Sequence, residues 1–206
     1  MLVLIIGTAT AVKQPPYMTL PLIISVFVML LQIDINRYAF LVGGINCVIY
    51  AIVYFIIGIY ASAGQSLFFS FPLQIITFIN WKKHAYKSST ILKSLSAKQR
   101  IIIALAFFLC WSAVAISLYK IGNPYAILDT TASILGVLST FLSMFTYKEY
   151  PYISVVGGLI TIFLNVQVCL NNIQQLPYLI YSVYSYICII ITTVNINKLY
   201  KEQKVI

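Results

Sequence analysis

Seven apolar runs, each about long enough to cross a bilayer core of roughly 30 Å, leave this chain little room for any other architecture. They are Tyr17–Ile33, Tyr38–Gly58, Ser62–Trp81, Ile101–Tyr119, Ala126–Thr146, Tyr150–Leu170 and Leu176–Ile196. Only 8% of residues are charged, against roughly 25% in a soluble domain. A chain so poor in charge needs lipid as its solvent. The expected fold is an all-α integral membrane protein with seven transmembrane helices.

The basic residues orient it. With the odd-numbered loops and the C-terminus on one side, that side holds Arg37, Lys82, Lys83, Lys87, Lys93, Lys98, Arg100, Lys148, Lys198, Lys201 and Lys204. The other side holds only Lys13 and Lys120. Loops rich in Lys and Arg stay cytoplasmic, so in the cell membrane the first full span starts outside and the C-terminus lies in the cytoplasm. The net charge of +9 does not point to nucleic acid, because the cations sit at helix ends, where topology requires them. Residues 82–100 form a basic cytoplasmic loop suited to anionic lipid heads, with His84 solvated in it. Residues 197–206 form a basic cytoplasmic tail.

The first 16 residues form a short apolar segment. Leu2–Val12 is too short to span, and it lacks the basic start and small-residue cleavage site of a signal peptide. A half-helix, an interfacial segment and the stub of a further span all fit it, and Pro15-Pro16 ends it in each case. Cys47, Cys110, Cys169 and Cys188 lie singly in apolar runs and read as packing residues. No HExxH, P-loop or GxSxG pattern occurs. Asp34, Asp129, Glu149 and Glu202 are the only carboxylates, thin material for an enzyme or an ion-coupled antiporter. No cofactor or metal is expected.

The chain also repeats itself. Tyr38, Val42, Gly43 and Gly44 recur as Tyr152, Val156, Gly157 and Gly158 at one offset of 114 residues. Ile79-Asn80 recurs as Ile196-Asn197 at an offset of 117. An offset of four spans makes residues 17–81 one three-helix bundle, 101–119 a connector, and 126–196 a second bundle. Four crossings preserve direction, so this 3+1+3 repeat is parallel and SWEET-like.

Several stretches resemble the PnuC family of bacterial nicotinamide riboside transporters. They are Arg37-Tyr-Ala-Phe-Leu-Val-Gly-Gly-Ile-Asn46, Tyr54-Phe55, Gly58-Ile-Tyr60-Ala-Ser62, Gln74 and Asn80-Trp81-Lys82. Leu128-Asp129-Thr130-Thr131 and Tyr147-Lys148-Glu149 are similar to the family's second half, and the likeness runs over about residues 17–198. It implies facilitated diffusion of a vitamin or nucleoside by alternating access, trapping of the substrate by cytoplasmic phosphorylation, and a homotrimer. The chain departs from the family where Tyr150-Pro-Tyr-Ile-Ser154 replaces a Trp-x-x-Trp-like pair and Gly158 falls near an expected Asn. Thiamine and deoxynucleoside branches therefore stay open beside nicotinamide riboside. The rival of another kind is the vitamin-binding subunit of an energy-coupling transporter, which six spans without a repeat would favour. A membrane enzyme is a weaker rival.

Polar groups in hydrocarbon are costly unless partnered, so polar residues in mid-span mark the expected cavity. Asn46 and Gln74 lie at similar depth on adjacent spans, able to face one another or a shared ligand. Tyr50 and Tyr54 follow Asn46 by one and two turns, with faces suited to a planar or cationic ring. Ser154, Thr161 and Asn165 recur at helical spacing on the sixth span. Tyr181, Ser185 and, on the flank, Tyr184 do so on the seventh. Gly43-Gly44 and Gly157-Gly158 read as close-packing positions, Asp129 as the cap of its own helix, and Pro72 as a kink beside Gln74.

Overall fold

A computed structural model describes residues 1–205; Ile206, the last residue of the expected tail, lies outside them. In chain order come α1 (Leu2–Ala11), α2 (Pro16–Ile33), α3 (Tyr38–Ile56), α4 (Tyr60–Gly64), a π-helical segment (Gln65–Ser70) and α5 (Phe71–Lys83). A two-stranded antiparallel hairpin follows, β1 (Ala85–Tyr86) and β2 (Ser89–Thr90). Then come α6 (Ala97–Lys120), α7 (Ala126–Met144), α8 (Tyr150–Asn171), a 3-10 turn (Ile173–Gln175) and α9 (Leu176–Val205). The helix from Tyr60 to Lys83 is continuous, so among the described residues seven helices are long and apolar enough to cross a membrane. α1 is a short additional helix, packed on α2 and α9 through the fully buried Ile5.

Six spans close a ring. Each neighbours the next in the order α2, α3, α5, α7, α8, α9, and α9 returns to α2. A half-turn of that order carries each span of the first three onto the span four later. α6 stays outside the ring and packs on α7.

The basic segments gather at one end of the ring. Arg37 N–H donates to Ser88 O at 3.2 Å, and Lys93 N–H to Thr146 O at 2.9 Å. Leu92 N–H donates to the Gln203 side-chain oxygen at 2.9 Å. The 82–100 segment is thus an ordered strap rather than an open loop. Its last residues already belong to α6, which starts in a capping box of Ser96 and Gln99. The expected tail is helical as well. α9 runs on because Ile196, Leu199 and Tyr200 pack with Trp81, Phe40 and Leu92.

Two prolines shape the spans. Pro21 lies inside α2, and Asn46 Nδ2 donates to its carbonyl at 2.9 Å. Pro72 lies in the first turn of α5, just past the π-helical segment. Proline has no N–H to close a regular turn. A π turn, with its wider spacing, is one way a helix absorbs such an interruption, and such turns recur at functional sites. The expected kink is therefore a π-helical stretch, Gln65–Ser70, that ends one turn ahead of Gln74.

The seam between the two triplets is polar at both ends. At the basic end Trp81, fully buried, donates Nε1–H to Ser143 O at 2.8 Å, and Asn195 Nδ2 donates to Ile33 O at 2.8 Å. At the opposite end the Tyr178 hydroxyl donates to Met18 O at 2.9 Å. Asp129 accepts there from Ala61 N–H at 2.9 Å, Ser62 N–H at 3.0 Å and the Ser62 hydroxyl at 2.5 Å. Asp129 was expected to cap its own helix. Its carboxylate instead caps α4, in the other triplet, where free N–H groups and the helix dipole favour negative charge.

Candidate functional site

A cavity of about 330 Å³ lies inside the ring, and every span except α6 contributes to its wall. Long polar side chains reach it because small residues make room. Gly136 stands beside the Gln65 carboxamide, and Gly43 beside the Gln74 carboxamide. Gly44 and Gly158 instead admit Ile75 and Tyr186 at close range, which is ordinary helix packing.

Eight of the expected site residues line this cavity: Tyr50, Tyr54, Gln74, Ser154, Thr161, Asn165, Tyr181 and Ser185. Two do not. Asn46 is buried, and its Nδ2 is spent on Pro21 O and on Ser25 Oγ, each at 2.9 Å. It clamps α3 to the proline-interrupted α2 and makes no bond to Gln74. Azimuth decides what a helical residue faces, and Asn46 faces α2. Tyr184 packs beside Tyr181, 6.4 Å between ring centroids, outside the wall.

Other wall residues escaped the sequence reading. Gln65, Ser66 and Ser70 all come from the π-helical segment. Helical periodicity of 3.6 does not predict which face a wider turn presents. Pro72 was the one signal for that irregularity. Ser139 and Ser143 of α7 also line the cavity.

One part of the wall is aromatic. Tyr50 and Tyr54 stack with centroids 5.3 Å apart, and Tyr178 meets Tyr50 edge-on at 6.2 Å. The Tyr50 hydroxyl is 2.8 Å from Ser25 Oγ. With Tyr181, these rings offer π faces of negative potential to a ligand. Tyr150 lines the cavity nearer the basic end.

The remaining wall is neutral and rich in acceptors. Among the described residues, no Lys, Arg, His, Asp or Glu lines it. Many of its hydroxyl hydrogens are committed to backbone carbonyls. Thr161 donates to Gly157 O at 2.9 Å, Thr140 to Gly136 O at 2.8 Å, Ser143 to Thr140 O at 2.7 Å and Ser182 to Leu179 O at 2.7 Å. A hydroxyl that has donated keeps its lone pairs as acceptors. Gln74 donates Nε2–H to Cys47 Sγ at 3.2 Å, and its Oε1 is buried with no protein partner. An unpaired buried acceptor is costly, so this oxygen calls for a donor from whatever fills the cavity. The arrangement can hold an aromatic ligand bearing N–H or O–H donors or positive charge. It has no cation with which to neutralise a phosphate.

Comparison with known proteins follows the same line. The crystal structure of the vitamin B3 transporter PnuC matches with a TM-score of 0.80 at 20% identity, over 98% of this chain and 91% of that one. At that identity the likeness speaks for the fold. The nicotinamide riboside transporter PnuC of Neisseria mucosa is 25% identical over 167 residues, which cover 74% of this chain. The chain spans 63% of that relative's length. Residues 18–193 match the sequence profile described as nicotinamide mononucleotide transporter, a stretch that reaches into all seven spans. The chain belongs to that transporter family.

Proposed function

We propose that this protein carries nicotinamide riboside across the cell membrane by facilitated diffusion. The observation that carries this reading is the wall of the central cavity, with its tyrosine faces, surplus acceptors and lack of charged side chains. Nicotinamide riboside is a pyridinium cation with a carboxamide NH₂ and ribose hydroxyls. Its ring suits the Tyr50–Tyr54 stack by cation–π attraction, and its donors suit the Gln74 oxygen and the committed hydroxyls. The 5′-phosphate of the mononucleotide brings only acceptors and negative charge. Desolvating that charge without a partner is strongly unfavourable. The unphosphorylated nucleoside is therefore the better substrate, although the family profile is described by the mononucleotide.

The mechanism is alternating access. The two triplets rock against each other, and each end of the seam opens in turn. Trp81–Ser143 and Asn195–Ile33 hold the basic end; Asp129–Ser62 and Tyr178–Met18 hold the other. The ring order, in which a half-turn exchanges the triplets, supports a 3+1+3 parallel repeat. The basic end faces the cytoplasm. The homotrimer implied by the family resemblance completes the assembly. The protein is a carrier rather than an enzyme, and seven spans, six of them in a ring, count against the vitamin-binding subunit of an energy-coupling transporter.

Calorimetric titration of the purified protein tests the substrate. Nicotinamide riboside is expected to bind, and nicotinamide mononucleotide to show at least tenfold weaker binding. Thiamine and deoxynucleosides are the comparators. Preference for the mononucleotide would overturn the reading of the cavity wall.

A further inference from the structure

α6 stands apart from the ring and is pinned to it at two heights. Near its middle, Trp111 Nε1–H donates to Thr131 Oγ1 at 2.9 Å. Near its start, Arg100 pairs with Glu149 at 3.3 Å, and Gln99 Nε2 donates to the Tyr147 hydroxyl at 3.1 Å. Between those pins the helices part and leave a groove of about 580 Å³. Ile103, Phe107 and Phe108 of α6 face Leu138 and Leu142 of α7 across it. Arg100 and Lys148 stand at its basic end. Arg100 to Phe108 is a helical rise of roughly 12 Å, so the groove leads from a pair of cations into the hydrocarbon.

We propose that this groove binds an anionic phospholipid. One acyl chain lies along the apolar walls, and the headgroup phosphate meets Arg100 and Lys148. Arg100 uses one of its five N–H donors on Glu149 and keeps the rest. Lys148 Nζ sits 4.1 Å over the Tyr200 ring, and among the described residues no protein acceptor takes its donors. Glu149 offers neither oxygen to a headgroup. Its Oε1 accepts from Ser94 Oγ, Leu95 N–H and Arg100, and its Oε2 is buried. Exposed Lys93 and Lys98 add positive charge nearby. Charge also argues against a second copy of this chain in the groove. A copy with the same orientation in the membrane would bring its own basic end to the same depth, like against like. An anionic lipid brings the complementary charge at that depth and the acyl chain beneath it.

Trp111 supplies the test. The chain has two tryptophans, and Trp81 is fully buried within the protein, so quenching by brominated acyl chains reports on Trp111. The full chain is reconstituted with increasing fractions of brominated phosphatidylglycerol or brominated phosphatidylcholine. Half-maximal quenching is expected at a fraction about fivefold lower or better for the anionic lipid, the gain expected from one or two cations near a membrane surface. Arg100→Gln with Lys148→Gln should erase the preference. Lys83→Gln, which removes an exposed cation at the end of α5, should not. Lys148→Gln alone breaks no ion pair, and it should lower the preference even if the double variant fails to fold. Equal quenching by the two lipids would overturn the proposal. So would a preference that survives both the single and the double variant, or disulfide crosslinking between Phe108→Cys copies.

Discussion

A β-carbon on Gly43 would collide with the carboxamide oxygen of Gln74. That oxygen is the unpartnered buried acceptor of the cavity wall, so the missing side chain on α3 lets Gln74 on α5 present it.

Gly43→Ala is therefore expected to weaken nicotinamide riboside binding by displacing Gln74 while leaving the helices in the membrane. Gln74→Ala should weaken binding by about 1–3 kcal/mol, roughly 5- to 150-fold, for one or two lost hydrogen bonds. The two losses should not add, because both remove the same oxygen. Calorimetry on both single variants and the double variant checks this. Additive losses would assign Gly43 to helix packing alone.

Asn46→Leu is expected to do the reverse. Asn46 holds Pro21 O and Ser25 Oγ and is absent from the cavity wall. Its loss leaves a carbonyl inside α2 with one partner fewer, at a cost of about 1–3 kcal/mol. Melting curves should fall and affinity should stay within twofold. A large loss of affinity without a change in melting temperature would return Asn46 to the site.

These two residues show what the sequence could and could not reveal. The spans were legible because hydrocarbon accepts little except apolar helix, and hydropathy records that directly. Depth was legible too, since it is only a count of residues from a helix end. Azimuth was less so. On α8 and α9 a polar stripe marked the inward face at Thr161, Asn165 and Ser185. On α3 one amide could face either neighbour, and Asn46 faced α2. The π-helical segment hid Gln65 and Ser70, because its wider turn breaks the spacing by which faces are read. The partner of Asp129 is 68 residues away at Ala61, a distance no local pattern encodes.

The orientation has its own check. Arg37, the 82–100 strap, Lys148 and the end of α9 meet at one end of the ring, so one compartment receives nearly all the basic residues. A reporter fused after Ile206 should read cytoplasmic, and the strap should resist proteases added outside intact cells. Cleavage in the strap under those conditions would reverse the assignment.

Coupling is the last expectation. Among the described residues Asp129 is the fully buried carboxylate available to a coupling ion, and its oxygens are already occupied. It caps α4 with two backbone N–H groups and the Ser62 hydroxyl, and the Ser133 hydroxyl adds a bond at 3.4 Å. A carboxylate held by so many donors has a structural task at the seam. Uptake into proteoliposomes should thus run down the substrate gradient, unchanged by a proton or sodium gradient when the membrane potential is clamped. The potential itself should matter, because the proposed pyridinium substrate carries its charge across. An interior at −100 mV favours accumulation by about 2.3 kcal/mol, roughly 50-fold. Asp129→Asn sets an amide N–H against the N–H groups of α4 and should lower stability by about 1–2 kcal/mol, as the loss of a helix cap does. It should leave the response to ion gradients as it was. Uptake that fails when a proton or sodium gradient is collapsed at constant potential, and that becomes indifferent to it in Asp129→Asn, would make this carboxylate an ion site.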